Sequence, residues 1–147
     1  MKKIILCSLL CGVIGFSCKK DEIEPNDPTP EITGISISPG SVAEFSEEIV
    51  FTISYRDANG DLGENNPDAK NLFVIDNRIG IAEEFRIPEL APRGTDISIE
   101  GDLTVKLSGT GITDGSASQS FNYTVYLVDR AGLESNRFDT ENITVNR

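Results

Sequence analysis

The chain has 147 residues, 38% hydrophobic and 25% charged, a balance that fits one folded soluble domain and excludes a disordered chain. Its formal net charge is −11, and it has no histidine. So acidic a surface repels nucleic-acid phosphates and anionic lipid head groups alike, which excludes a nucleic-acid partner and membrane attachment through surface charge.

The chain begins with the short positive stretch Met1-Lys2-Lys3. An apolar run follows from Ile4 to Phe16, too short for a transmembrane helix of about 20 residues. It ends Gly15-Phe16-Ser17-Cys18. This order resembles a bacterial lipoprotein signal peptide, with a small residue before the Cys of the lipobox. Gly15 stands where the pattern usually has Leu, and Phe16 where it usually has a small residue. The plainer alternative is an ordinary secretory signal with a chance Cys. The resemblance implies that residues 1–17 are removed and that Cys18 receives a diacylglycerol and a fatty acid. Several acyl chains on one residue anchor stably, whereas one chain binds only marginally. Cys7 and Cys11 leave with the signal peptide, so the mature chain has no disulfide and no free thiol. Lys2 and Lys3 leave too, and 11 basic residues then face 24 acidic ones, a net charge of −13.

Lys19-Lys20-Asp21-Glu22 resembles the export signal of bacteroidete-type surface lipoproteins, in which acidic residues closely follow the lipidated Cys. The resemblance implies an outer-membrane anchor with the domain on the cell surface. Pro25, Pro28 and Pro30, with the acids among them, make residues 18–30 an extended tether unable to form a core. At about 3.1 Å per residue the tether spans on the order of 40 Å.

From Glu31 to Arg147 the hydrophobic period is two. Ile32, Ile35 and Ile37 predict a first strand, stopped by Pro39-Gly40. Ile49, Phe51, Ile53 and Tyr55 fall on one face of a second. Leu72-Phe73-Val74-Ile75 reads as a short buried strand. Ile81 to Ile87 reads as an edge strand, with Glu83, Glu84 and Arg86 discouraging further pairing. Leu103, Val105 and Leu107 point inward on another, and Gly101 predicts a bulge or bend before them. Phe121, Tyr123, Val125 and Leu127 line the next, and Ile143 and Val145 the last. About seven strands separated by Gly, Pro, Asn and Asp clusters indicate an all-β sandwich.

Tyr55-Arg56-Asp57-Ala58-Asn59-Gly60-Asp61-Leu62-Gly63 and Val125-Tyr126-Leu127-Val128-Asp129-Arg130-Ala131-Gly132 resemble stretches of Ig-like domains of bacterial surface proteins. The resemblance implies an Ig-like β-sandwich over residues 31–147 and a surface location. It implies no activity.

Chemistry is sparse. Without histidine or a free thiol, His-dependent triads, His and Cys zinc sites and cysteine nucleophiles are all excluded. No Gly-rich phosphate loop joins a strand to a helix. Acids are plentiful, so a carboxylate-pair hydrolase is one reading. Phe51, Phe73, Phe121 and Tyr123 read as core, whereas Tyr126 points outward as a contact or an ordinary exposed ring.

One constellation stands out: Asp57-x-Asn59-x-Asp61, with Asp68 at the twelfth position. Calcium takes six to eight hard oxygen ligands, and alternate acids or amides on a loop supply them from one side. An EF-hand is excluded, because Leu62 replaces the required Gly and strands flank the loop. Asn59-Gly60 is also a strong turn signal, and a turn alone accounts for the acids. The sandwich topology brings Asp129 and Glu134 to the same pole. Asp57, Asn59, Asp61, Asp68 and Asp129 are therefore the candidate calcium ligands. The reading that joins these features is a non-enzymatic, lipid-anchored surface protein, a binding or structural module for a protein or glycan ligand. A glycan-binding accessory of a nutrient-uptake system and a small carboxylate-dependent hydrolase are the alternatives.

Overall fold

The computed structural model describes residues 27–147, and the signal segment and Cys18 lie outside them. Every regular element among the described residues is a β-strand. β1 (Glu31–Ser38) pairs antiparallel with β3 (Glu48–Asp57), which pairs antiparallel with β6 (Ile99–Ser108). β4 (Leu72–Asp76) lies between β5 (Ile81–Phe85) and β8 (Tyr123–Leu127), and β9 (Phe138–Asp139) extends this ladder. β10 (Ile143–Asn146) pairs antiparallel with β7 (Ser118–Phe121) and parallel with β2 (Ser41–Ala43). Only Asn122 separates β7 from β8, so the last two ladders continue one another along one stretch of chain. Together they face the first sheet across the core, in the strand order of an Ig-like sandwich.

The core follows from the period of two. Ile49, Phe51, Ile53 and Tyr55 are buried along β3, and the residues between them are not. Tyr123, Val125 and Leu127 answer them from β8, and Ile143 and Val145 from β10. Phe51 and Phe121 each meet Tyr123 edge-on, with ring centres 5.2 and 5.1 Å away. Such edge-to-face pairs add about 0.5–1.5 kcal/mol beyond the area they bury.

The expected elements return with three corrections. There are ten strands in place of about seven. β2 and β9 are too short to carry a periodic signal, and the inward alternation of Phe121 and Tyr123 passes unbroken through the β7–β8 junction. Gly101 makes no bulge: it pairs in register with Tyr55, whose hydroxyl would lie 3.4 Å from an added Cβ. The bulge falls between Ile32 and Gly34, which explains the uneven spacing of Ile32, Ile35 and Ile37. Phe73 is not core. It lies on the outer face, paired across the ladder with Tyr126.

Glu31 lies opposite Arg56, so the chain enters the sandwich at the pole where β3 ends. Asn136 fastens this entry: its Oδ1 accepts the Ile32 N–H at 2.8 Å, and its Nδ2 donates to the Ile32 carbonyl at 3.0 Å. At the same pole Gly63 has a φ of 85°, and an added Cβ would strike the main-chain carbonyl of Pro88. Gly63→Ala is therefore expected to lower stability by roughly 1–3 kcal/mol through backbone strain. Urea melts check this, and an unchanged midpoint would show that the loop relaxes at no cost.

Candidate functional site

Two poles carry the side chains of interest. At the entry pole, Asp57 ends β3 in phase with the core residues and is fully buried. Its Oδ2 accepts the Leu62 N–H at 2.7 Å, and its Oδ1 accepts those of Asn59 and Gly60 at 3.3 Å. Asp57 thereby closes the 58–62 loop over itself, and Leu62 drops into the core. Asp129 follows β8 in the same inward phase. Its Oδ1 accepts the Leu133 N–H at 2.8 Å.

The two loops touch. The Arg130 N–H donates to the Asp61 carbonyl at 3.2 Å. The Arg130 guanidinium donates to the carbonyls of Gly63 and Gly60 at 2.9 and 3.1 Å. Burial pushes the Asp61 carboxyl pKa up, and the charges of Asp129 and Asp57 push it further, while Arg130 pulls the other way. Burial also raises that of Asp129, against the opposing hydrogen bond from Leu133. Three oxygens here are buried without a hydrogen-bond partner: Asn59 Oδ1, Asp61 Oδ1 and Asp129 Oδ2. Outside them lies an open depression lined by Asn59, Asp61, Arg93, Asp96 and Arg130.

The candidate ligands divide accordingly. Asp57, Asn59, Asp61 and Asp129 come to one pole. Asp68 does not join them. It is exposed on the next turn, where its N–H donates to Asn66 Oδ1 at 3.1 Å. Glu134 is exposed too, and pairs with Arg137 at 3.4 Å. Among the described residues, no group of three or more Asp, Glu, His or Cys side chains stands assembled to hold a metal ion by itself.

At the opposite pole a cavity of about 280 Å³ opens between the layers. Val74, Ile79, Ile81, Leu107, Ile112 and Phe45 give it an apolar lining. Phe45 is 70% exposed at a φ of 57°, a left-handed conformation that bulky side chains rarely adopt. Its N–H donates to the Thr110 carbonyl at 2.9 Å, and its ring packs on Gly111. The Tyr123 hydroxyl reaches this cavity from the core without meeting hydrogen-bond geometry to a partner.

Arg78 forms the polar wall, and sequence reasoning missed it. Its guanidinium binds Asp76 (2.5 Å), the Gly111 carbonyl (2.7 Å) and Thr110 (2.9 Å), and lies 3.4 Å above the Phe121 ring centre. The one local signal is an Asp two residues before an Arg in a tight turn. Its other partners are more than thirty residues away in sequence.

On the outer face, the Phe73 and Tyr126 rings stack at 4.6 Å, and the Arg137 guanidinium lies 4.2 Å over Tyr126. Tyr126 is thus covered by Phe73 of β4 and by Arg137, just before β9.

No family model and no curated protein matches the chain. Among solved structures, the crystal structure of a Niemann-Pick type C2 protein from Japanese carpenter ant is similar at a TM-score of 0.43 and 12% identity. The match covers 80% of this chain and 92% of that one.

Proposed function

We propose that this protein is a non-enzymatic binding module, held on the outer face of the cell by the lipid on Cys18, with its far pole turned away from the membrane. The observation that carries this reading is the placement of the two poles. The chain enters beside Arg56, at the acidic pole, while the apolar cavity opens at the other end of the same strands. A tether arriving from Cys18 leaves the cavity pole free.

The chemistry of the cavity supports binding over catalysis. Of the two carboxylates that line it, Asp76 is committed to Arg78, which leaves Glu83 without the second free acid that a carboxylate-pair hydrolase requires. On the outer face the ring of Tyr126 is occupied by Phe73 and Arg137, so the exposed aromatic ring that a ligand of this module would meet is Phe45, at the mouth of the cavity.

The experiment uses the absence of cysteine after position 18. Ala117 is exposed, just before β7 at the far pole. Ala117→Cys, expressed in cells, should react with a membrane-impermeant maleimide on intact cells. Labelling that appears only after lysis would place the domain on the inner side and overturn the surface reading.

A further inference from the structure

We propose that the entry pole holds a calcium ion, bound by Asp57, Asn59, Asp61 and Asp129 and completed by main-chain carbonyls of the two loops. Asp129 is only 7% exposed, and one of its oxygens is buried without a partner. A buried carboxylate oxygen left unpaired is costly, and it persists where something of opposite charge answers it. Asn59 Oδ1 and Asp61 Oδ1 are orphaned in the same way on the facing loop. The three unpaired atoms thus come from two loops that already touch through Arg130 and Asp61.

The local charge asks for a divalent cation. Among the described residues, Asp57, Asp61 and Asp129 form no ion pair. Arg130, whose charge acts on Asp61, spends its guanidinium on the Gly60 and Gly63 carbonyls. Three carboxylates against one guanidinium leave a net charge of −2, which one divalent ion cancels.

The donor chemistry selects among divalent ions. All four side chains offer hard oxygen, and none offers the imidazole nitrogen or thiolate sulfur that zinc and copper favour. Magnesium demands a tight octahedron near 2.1 Å, while calcium accepts an irregular shell of six to eight oxygens. A shell mixing carboxylates, an amide and carbonyls is of the second kind. Asp57 keeps spare lone pairs after accepting three N–H groups, because an ionised carboxylate has about four acceptor positions. Among the described residues the carboxylates are not assembled as a closed cage, and a cation between the two loops would offset the repulsion that Asp57 and Asp129 exert on Asp61. Bound calcium would tie the 58–62 loop to the 130–133 loop and stiffen the pole beside the anchor.

The test is a thermal melt of the full processed chain in detergent, in calcium, in magnesium and in chelator. Asp61→Asn is the informative variant, because it keeps the shape and removes the charge. The Asp61 carboxylate accepts no hydrogen bond among the described side-chain contacts, so the variant is expected to fold. Calcium at 100 times its dissociation constant should raise the wild-type midpoint by on the order of 10 °C. Magnesium should raise it less, and Asp61→Asn should lose most of the calcium shift. Asp129→Asn, which keeps an acceptor for the Leu133 N–H, should lose it as well. Identical wild-type melts in millimolar calcium and in chelator would overturn the site. So would a full calcium shift retained by both variants, since the ion would then bind elsewhere.

Discussion

Replacing Arg78 by alanine is expected to destabilise the domain by about 3–5 kcal/mol, the scale for removing one partner of a buried ion pair. The Arg78 side chain is 8% exposed and that of Asp76 14%, so water screens the pair poorly. The guanidinium also satisfies the Gly111 carbonyl and the Thr110 hydroxyl, and its plane covers the Phe121 ring. Alanine would leave Asp76 as a largely buried charge, orphan that carbonyl and uncover the aromatic core. These losses fall together, because one side chain joins the β4–β5 turn to the segment after β6. Arg78→Lys restores the charge but not the planar fork, so it should recover only part of the loss. Denaturant melts of the three proteins check this. An Arg78→Ala midpoint equal to that of the wild type would show that the pair contributes no more than an exposed one.

Replacing Cys18 by alanine is expected to remove the protein from the outer-membrane fraction, the largest change any single substitution should produce. Each buried methylene of an acyl chain contributes about 0.8 kcal/mol, so several chains hold a domain that one chain could not. The acidic protein surface works against attachment, since anionic head groups repel it. Among the described residues, no helix is long and apolar enough to cross a membrane. Mass spectrometry of the wild-type protein should find acylated Cys18 as the first residue. A mature chain that begins elsewhere, or a Cys18→Ala variant still in the outer-membrane fraction, would refute the lipid anchor.

Much of the fold was legible in the residues. The inward face of β3 could be read because ten residues sample a period of two five times over. The same phase carries Asp57 into the interior after Tyr55, and the Asn59-Gly60 turn marks where the strand must stop. Proximity of Asp129 to this loop followed from topology once an Ig-like sandwich was assumed, and the structure brings both to one pole.

Other features needed the folded chain. Leu72-Phe73-Val74-Ile75 is apolar throughout, so periodicity could not say which residues face out, and only the ladder with β8 turns Phe73 to the surface. β2 and β9 hold three and two residues, and neighbouring strands impose them where local preference cannot. The twelve-residue spacing pointed to Asp68, but a loop built between strands carries that residue to an exposed turn. Arg78 sits in the turn between β4 and β5, and nothing local to that turn marks it for burial. Its burial depends on Gly111, Thr110 and Phe121, which arrive from later strands. Strand pattern and turn chemistry are local properties, so the sequence alone determined them. Which oxygens stay unpaired, which charge is buried and where the cavity opens depend on contacts between segments far apart in the chain, and only their packing decided them.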